Sequence, residues 1–199
     1  MKRIALATLV HTALLVLPAL AAGRMAEIGR PRVVACVVAL VVFAIAETAA
    51  KRGASDPSRF GAPGTRLAMV SALGLLVTAW LAIAAPAPSS AGWGATIAAA
   101  SACVIGIVLR VLAILTLGDA FTSETVLAPG RPVVRHGIYE HLRHPSDIGL
   151  LLFTAGVVGS TGSLAALVPA LLLVVPSTVA RMRDEDRLLA GAPAVLSRT

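Results

Sequence analysis

Apolar residues in this chain fall into six runs, residues 4 to 22, 33 to 50, 66 to 85, 94 to 117, 147 to 158 and 163 to 180, separated by short stretches that hold most of the charge. At about 1.5 Å of rise per residue, each of the first four is long enough to cross a hydrocarbon core of roughly 30 Å as an α-helix. The fifth run is shorter. It joins the sixth through Gly159-Ser160-Thr161-Gly162, a small-residue turn that suits a tight helical hairpin. The pattern predicts an all-α, polytopic membrane protein with about five to six transmembrane segments and a C-terminal helical hairpin. A single membrane domain then covers residues 1 to 199, divided into N-terminal helices over 1 to 93 and a C-terminal core over 94 to 199.

Composition supports this reading: 57% of residues are hydrophobic, 14% are charged, and mean hydropathy is +0.88, too apolar for a water-soluble domain. The net charge of +7 does not point to nucleic acid, because the basic residues lie between apolar runs and form no stripe interleaved with aromatics. They fit the positive-inside rule. The uncharged loops, Ala87 to Trp93 and 159 to 162, are expected outside. The arginine-rich 51 to 66, 118 to 146 and C-terminal segments are expected in the cytoplasm, together with Lys2 and Arg3. The loop 23 to 32, with Arg24, Arg30 and Arg32, is the exception, since the count places it outside. Residues 1 to 22 also resemble a signal peptide, with Ala19-Leu20-Ala21 as a small-residue pattern, although a retained first helix is the preferred reading. Arginine far exceeds lysine and alanine is abundant, a composition that hints at a bacterial source and hence the bacterial cytoplasmic membrane.

Few residues inside the spans are ionisable. Glu47 precedes Lys51 by one helical turn, so an ion pair along the helix is expected there. His11 reads as a neutral, hydrogen-bonded imidazole. Arg110 either snorkels to the nearby membrane edge or turns inward to a polar cavity, and the sequence leaves both open. Cys36 and Cys103 sit within apolar runs with no ligand type beside them, so neither a disulfide nor a metal is expected.

Between the fourth and fifth runs the chain reads LGDAFTSETVLAPGRPVVRHGIYEHLRHPSDIG, its densest polar stretch. His136, His141 and His144 are not spaced as a HExxH zinc helix, and no cysteine is near, so no metal is inferred. Pro145 suits the first turn of a helix, with Ser146 and Asp147 near its positive end. A helix start flanked by Arg143 and His144 can seat a carboxylate; a loop facing lipid headgroups would look similar.

Gly137-Ile138-Tyr139-Glu140-His141-Leu142-Arg143-His144-Pro145, followed by Gly149, resembles the GxYxxxRHPxxxG signature of the isoprenylcysteine carboxyl methyltransferase family. Leu117-Gly118 with Phe121 is similar to that family's LGxxF pattern. Arg181, Glu185, Asp186 and Leu189 are similar to its RxxxEExxL element. The resemblance covers roughly the half from Arg110 onward. It implies a membrane methyltransferase that binds S-adenosylmethionine in a cytoplasmic pocket, with a lipophilic small-molecule or lipid substrate arriving from the bilayer. By the same resemblance Tyr139, His144, Pro145, Gly149, Glu185 and Asp186 hold the cofactor. Arg143, Glu185 and Arg110 are the catalytic candidates, and Asp147 and Arg110 the substrate contacts.

Two departures stand out. Asp147 occupies a position where the family usually has tyrosine, and the tail from Ala190 to Thr199 lacks the aromatics that commonly follow the RxxxEExxL element. The residues alone also allow Arg181 and Glu185, and Asp184 and Arg187, to be ordinary ion pairs along one helix. A carboxylate acceptor needs only positioning, by Arg143 or Arg110, whereas an amine or hydroxyl acceptor needs a base such as Glu185 or Asp147. An NADPH-dependent lipid reductase and a non-catalytic transport or scaffold protein are the competing readings. The small residues around Gly74 and Gly106 suit helix packing within one chain or between two.

Overall fold

The computed structural model describes Ala13, Gly23 and residues 29–50, 63–87, 92–118, 134 and 136–191. These residues form helices and no strands. They are α1 (Pro31–Ala50), α2 (Pro63–Ala84), α3 (Trp93–Leu117), a 3₁₀ turn (Gly137–Glu140), α4 (Pro145–Thr161), α5 (Leu164–Pro169), a π turn (Ala170–Val174) and α6 (Val175–Gly191). Among the described residues four helical stretches are long and apolar enough to cross a membrane: Pro31–Ala50, Arg66–Ala84, Trp93–Leu117 and Leu164–Ala190. Apart from Ala13, the segment 4 to 22, with His11, lies outside the described residues, as do Lys51 and Phe121.

The expected hairpin is present, with shifted limits. α4 runs for 17 residues, beyond both ends of the predicted fifth segment, and Gly159, Ser160 and Thr161 are its last turn. Only Gly162, at φ +62°, and Ser163 make the bend. That left-handed backbone is open to glycine without steric cost. The Ser163 hydroxyl then accepts from the Ala166 amide at 3.2 Å and caps α5. From there one rod runs through α5, the π turn and α6. Pro169 and Pro176 flank the π turn. Each lacks an amide donor, and the chain accommodates the loss by widening one turn.

Two contacts order the bundle ends. The Arg32 guanidinium donates to the Ala87 carbonyl, and the Ala87 amide donates to the Thr161 carbonyl at 2.9 Å. The start of α1, the chain after α2 and the α4–α5 turn therefore share one end, so the helices run alternately up and down. The exceptional loop 23 to 32 thus leads into the same end as the uncharged loops, as the helix count requires. Glu47, Arg110, Ser146 and Glu185 lie toward the other end.

Among the described residues, the seam between α3 and α4 is the most intimate. A Cβ on Gly106 would lie 2.6 Å from both the Gly149 carbonyl and the Phe153 amide, and one on Gly156 would lie 2.7 Å from the Ala99 carbonyl. Missing side chains let the two backbones touch, the small-residue packing that membrane helices use where no hydrophobic drive exists between them. Phe153, fully buried on α4, stacks on Phe43 of α1 with ring centroids 4.2 Å apart.

On the other flank Gly74 of α2 faces the π turn, where a Cβ would approach that of Leu173 to 2.8 Å. The buried hydroxyls of Ser71 and Ser177 meet there at 2.7 Å. Gly74 and Gly106 thus pack helices within one chain. Ser71→Ala or Ser177→Ala should each cost about 1 kcal/mol. Since both remove the same bond, the double variant should cost clearly less than the sum in a thermal unfolding cycle.

Candidate active site

The polar stretch before α4 enters its helix as expected. Gly137, at φ +61°, lets the 3₁₀ turn begin, and His141 and Leu142 close it by donating to the Ile138 carbonyl. His144 then stands at the N-cap of α4 with a non-helical backbone, Pro145 occupies the first turn, and the His144 carbonyl accepts from the Ile148 amide at 3.0 Å. Ser146 and Asp147 follow, both buried, at the positive end of the helix.

The opposing wall is the last part of α6. The His144 ring stands between its two acids, Nδ1 3.1 Å from Glu185 Oε2 and Nε2 3.1 Å from Asp186 Oδ1. Arg143 Nη2 reaches Asp186 Oδ1 at 3.0 Å, though the Arg143 side chain is 75% exposed and the pair is well hydrated. Asp147, only 2% exposed, lies 2.8 Å from Arg181 Nη2. That contact is an ion pair without hydrogen-bond alignment, so Asp147 Oδ1 has no hydrogen-bond partner. Arg181 therefore pairs across to α4 rather than with Glu185 along its own helix, while Asp184 and Arg187 form the expected pair at 3.3 Å. Tyr139 stands half-buried close by. Burial, reinforced by the Glu185 and Asp147 carboxylates, pushes its hydroxyl well above the usual tyrosine range, so it remains a proton donor.

Arg110 turns inward. Its Nε and Nη2 donate to Glu47 Oε1, at 3.2 and 2.5 Å, and its Nη1 donates to the Ser146 carbonyl at 3.3 Å and hydroxyl at 3.0 Å. The guanidinium also lies 5.8 Å from the centre of the Phe43 ring. One side chain thus ties α1, α3 and the start of α4 together, with four contacts from its five N–H groups. Glu47 reaches across the bundle to this guanidinium; its expected partner along the helix, Lys51, lies outside the described residues.

The remaining candidates divide. Pro145 is buried at the helix start beside His144. Gly149 lies on the α3 side of α4, where a Cβ would come within 2.7 Å of the Gly106 carbonyl, so its lack of a side chain serves the seam. Sequence reasoning missed two partners, Glu47 for Arg110 and Arg181 for Asp147. It also could not see that ligating atoms of His144, Asp147 and Glu185 all lie within 4.8 Å of one another. The charged residues were visible as unusual in their segments, but pairing between distant helices leaves no spacing signal.

Fold and cluster together define a polytopic membrane protein in which α4 begins in a polar site walled by the acidic end of α6. Residues 97–191, from the second turn of α3 to the end of α6, match the Isoprenylcysteine carboxyl methyltransferase (ICMT) family. Over that stretch the chain is similar to membrane methyltransferases. Comparison with curated proteins gives no match, and neither does comparison with solved structures.

Proposed function

We propose that the chain transfers a methyl group from S-adenosylmethionine to a lipophilic acceptor, most simply a carboxylate, at the cytoplasmic face of a bacterial inner membrane. The observation that carries this reading is the direct meeting of the arginine-histidine-proline corner with the acidic end of α6, through His144 at 3.1 Å from both Glu185 and Asp186. The donor set fits the cofactor. Two carboxylates suit amino and ribose hydroxyl groups, Tyr139 supplies a protonated hydroxyl, and the buried Asp147 carboxylate converges on the same cluster. When bound, the cofactor supplies an electrophilic methyl on a sulfonium centre.

The protein's own part is positioning and exclusion of water. Glu185 and Asp186 hold the cofactor from α6, and His144, Pro145 and Tyr139 hold it from the loop and the start of α4. Arg143, the more exposed cation, steers an acceptor carboxylate. Arg110 has its donors engaged by Glu47 and Ser146, and its part is to fix the start of α4 rather than to hold substrate. A carboxylate acceptor reacts as the anion and needs no base.

Calorimetric titration of detergent-solubilised protein tests this reading. S-adenosylhomocysteine should bind and NADPH should not. His144→Ala should remove S-adenosylhomocysteine binding while the protein stays helical and monodisperse. Binding of NADPH alone would point to a reductase, and unchanged S-adenosylhomocysteine binding by the variant would take the loop out of the site.

A further inference from the structure

Asp147 stands where tyrosine is usual, and the acid gives Arg181 an ionic partner on the facing helix. The two side chains meet at 2.8 Å and are 3% and 14% exposed, so the pair is shielded from water and salt. The ion pair of Arg143 with Asp186, between the same two walls, is 75% and 42% exposed and holds them only weakly.

Place matters as much as burial. Asp147 follows His144 by three residues on α4, and Arg181 precedes Glu185 by four on α6, so each lies about one helical turn deeper in the bundle than the contact of His144 with Glu185. The outer contacts, from His144 and Arg143 to Glu185 and Asp186, are made by groups that the proposed function commits to cofactor and acceptor. Packing does not replace them, because the two walls belong to different seams. The start of α4 rests on α3 through Gly149 and Gly106, whereas the rod rests on α2 through Gly74 and the Ser71 to Ser177 bond. A chamber tied only by its ligand-binding groups would loosen as the ligand arrived, and affinity would be lost to re-ordering the walls. Resting on the methyltransferase reading, we infer that Asp147 and Arg181 are positioning residues, which hold the acidic end of α6 at a fixed distance from the start of α4 while His144, Glu185 and Asp186 exchange their mutual contacts for the cofactor.

Nitroxide labels on cysteines introduced as His141→Cys and Arg187→Cys report that distance by electron spin resonance. Both positions are exposed, and the native Cys36 and Cys103 are buried away from the reagent. With the chain otherwise unchanged, the spacing should be the same, and equally narrow, with and without saturating S-adenosylhomocysteine. His144→Ala removes the outer tie without any ligand, and the spacing should survive it. Adding Asp147→Leu and Arg181→Met to His144→Ala should broaden it.

The affinity follows the same pair. Asp147→Leu with Arg181→Met exchanges the ions for apolar side chains of similar shape, which is often neutral for folding, and should weaken S-adenosylhomocysteine binding roughly 10-fold or more. Arg181→Lys keeps the ionic tie and should bind nearly as the wild type does. Undiminished affinity in the apolar pair, a wild-type spacing that changes on binding, or broadening by His144→Ala alone would each overturn the proposal, and the last two can be read even if the apolar pair does not fold. Failure of the wild-type protein to bind S-adenosylhomocysteine would instead overturn the methyltransferase reading, and the ligand-free spacing in His144→Ala would still decide whether the pair holds the walls.

Discussion

Gly106→Ala is expected to lower the thermal midpoint of the detergent-solubilised protein by about 6–12 °C, whereas Gly94→Ala in the same helix should leave it unchanged or slightly raised. The first substitution puts a methyl group 2.6 Å from two backbone atoms of α4, and backbone cannot rotate aside as a side chain can. Overpacking of this kind costs up to about 3 kcal/mol, and each kcal/mol moves the midpoint of a chain this size by about 2–4 °C. At Gly94 nothing lies within 4 Å, so only the gain in helix propensity remains. Thermal unfolding followed by helical circular dichroism checks both. Equal midpoints for the two variants would mean that α3 and α4 are not in backbone contact.

Arg110→Met should destabilise the protein by about 3–5 kcal/mol, because it takes the guanidinium away from the largely buried Glu47 carboxylate and from the start of α4. Glu47→Met should do similar harm by stranding Arg110. The double variant should recover most of the loss, since a buried ion pair replaced by apolar side chains of similar volume is often neutral. Additive losses in the thermal cycle would show that the two residues act separately. The double variant also separates fold from chemistry. If it is folded and methylates its acceptor with an unchanged KM, Arg110 is a clamp; if KM rises many-fold, Arg110 holds substrate as well.

Much of this architecture is legible in the sequence. Hydrophobic run length locates the helices over 31–50, 66–84 and 93–117 and the first part of the last one, because the hydrocarbon thickness leaves a spanning helix little choice. Pro145 marks the start of α4 to the residue, and the arginine-histidine-proline corner with the acidic α6 announces the family. The Gly159–Gly162 turn is less legible. Glycine and serine inside a membrane helix are tolerated where another helix approaches, so three of those four residues continue α4.

Ion pairs are the least legible. Glu47 and Arg181 each have a potential partner one turn away, and local spacing favours those partners. The fold pairs them with Arg110 and Asp147, 63 and 34 positions distant in the chain, because a charge facing the bundle interior needs a partner on the helix it faces. The continuous rod from Leu164 to the acidic residues was equally hidden, since Arg181 and the acids after it read as a separate cytoplasmic element.

The bare glycine contact between α3 and α4 limits where the protein can open. Main chains resting on each other leave no room for a hydrocarbon tail to wedge between them, so this junction behaves as a fixed post. The carboxyl-terminal rod meets that post near the reaction centre through ion pairs and a histidine, contacts that can be exchanged for those of an incoming molecule. On the proposed function, a lipid therefore reaches the site by exchanging contacts at the rod's acidic end, with the joined helices standing still.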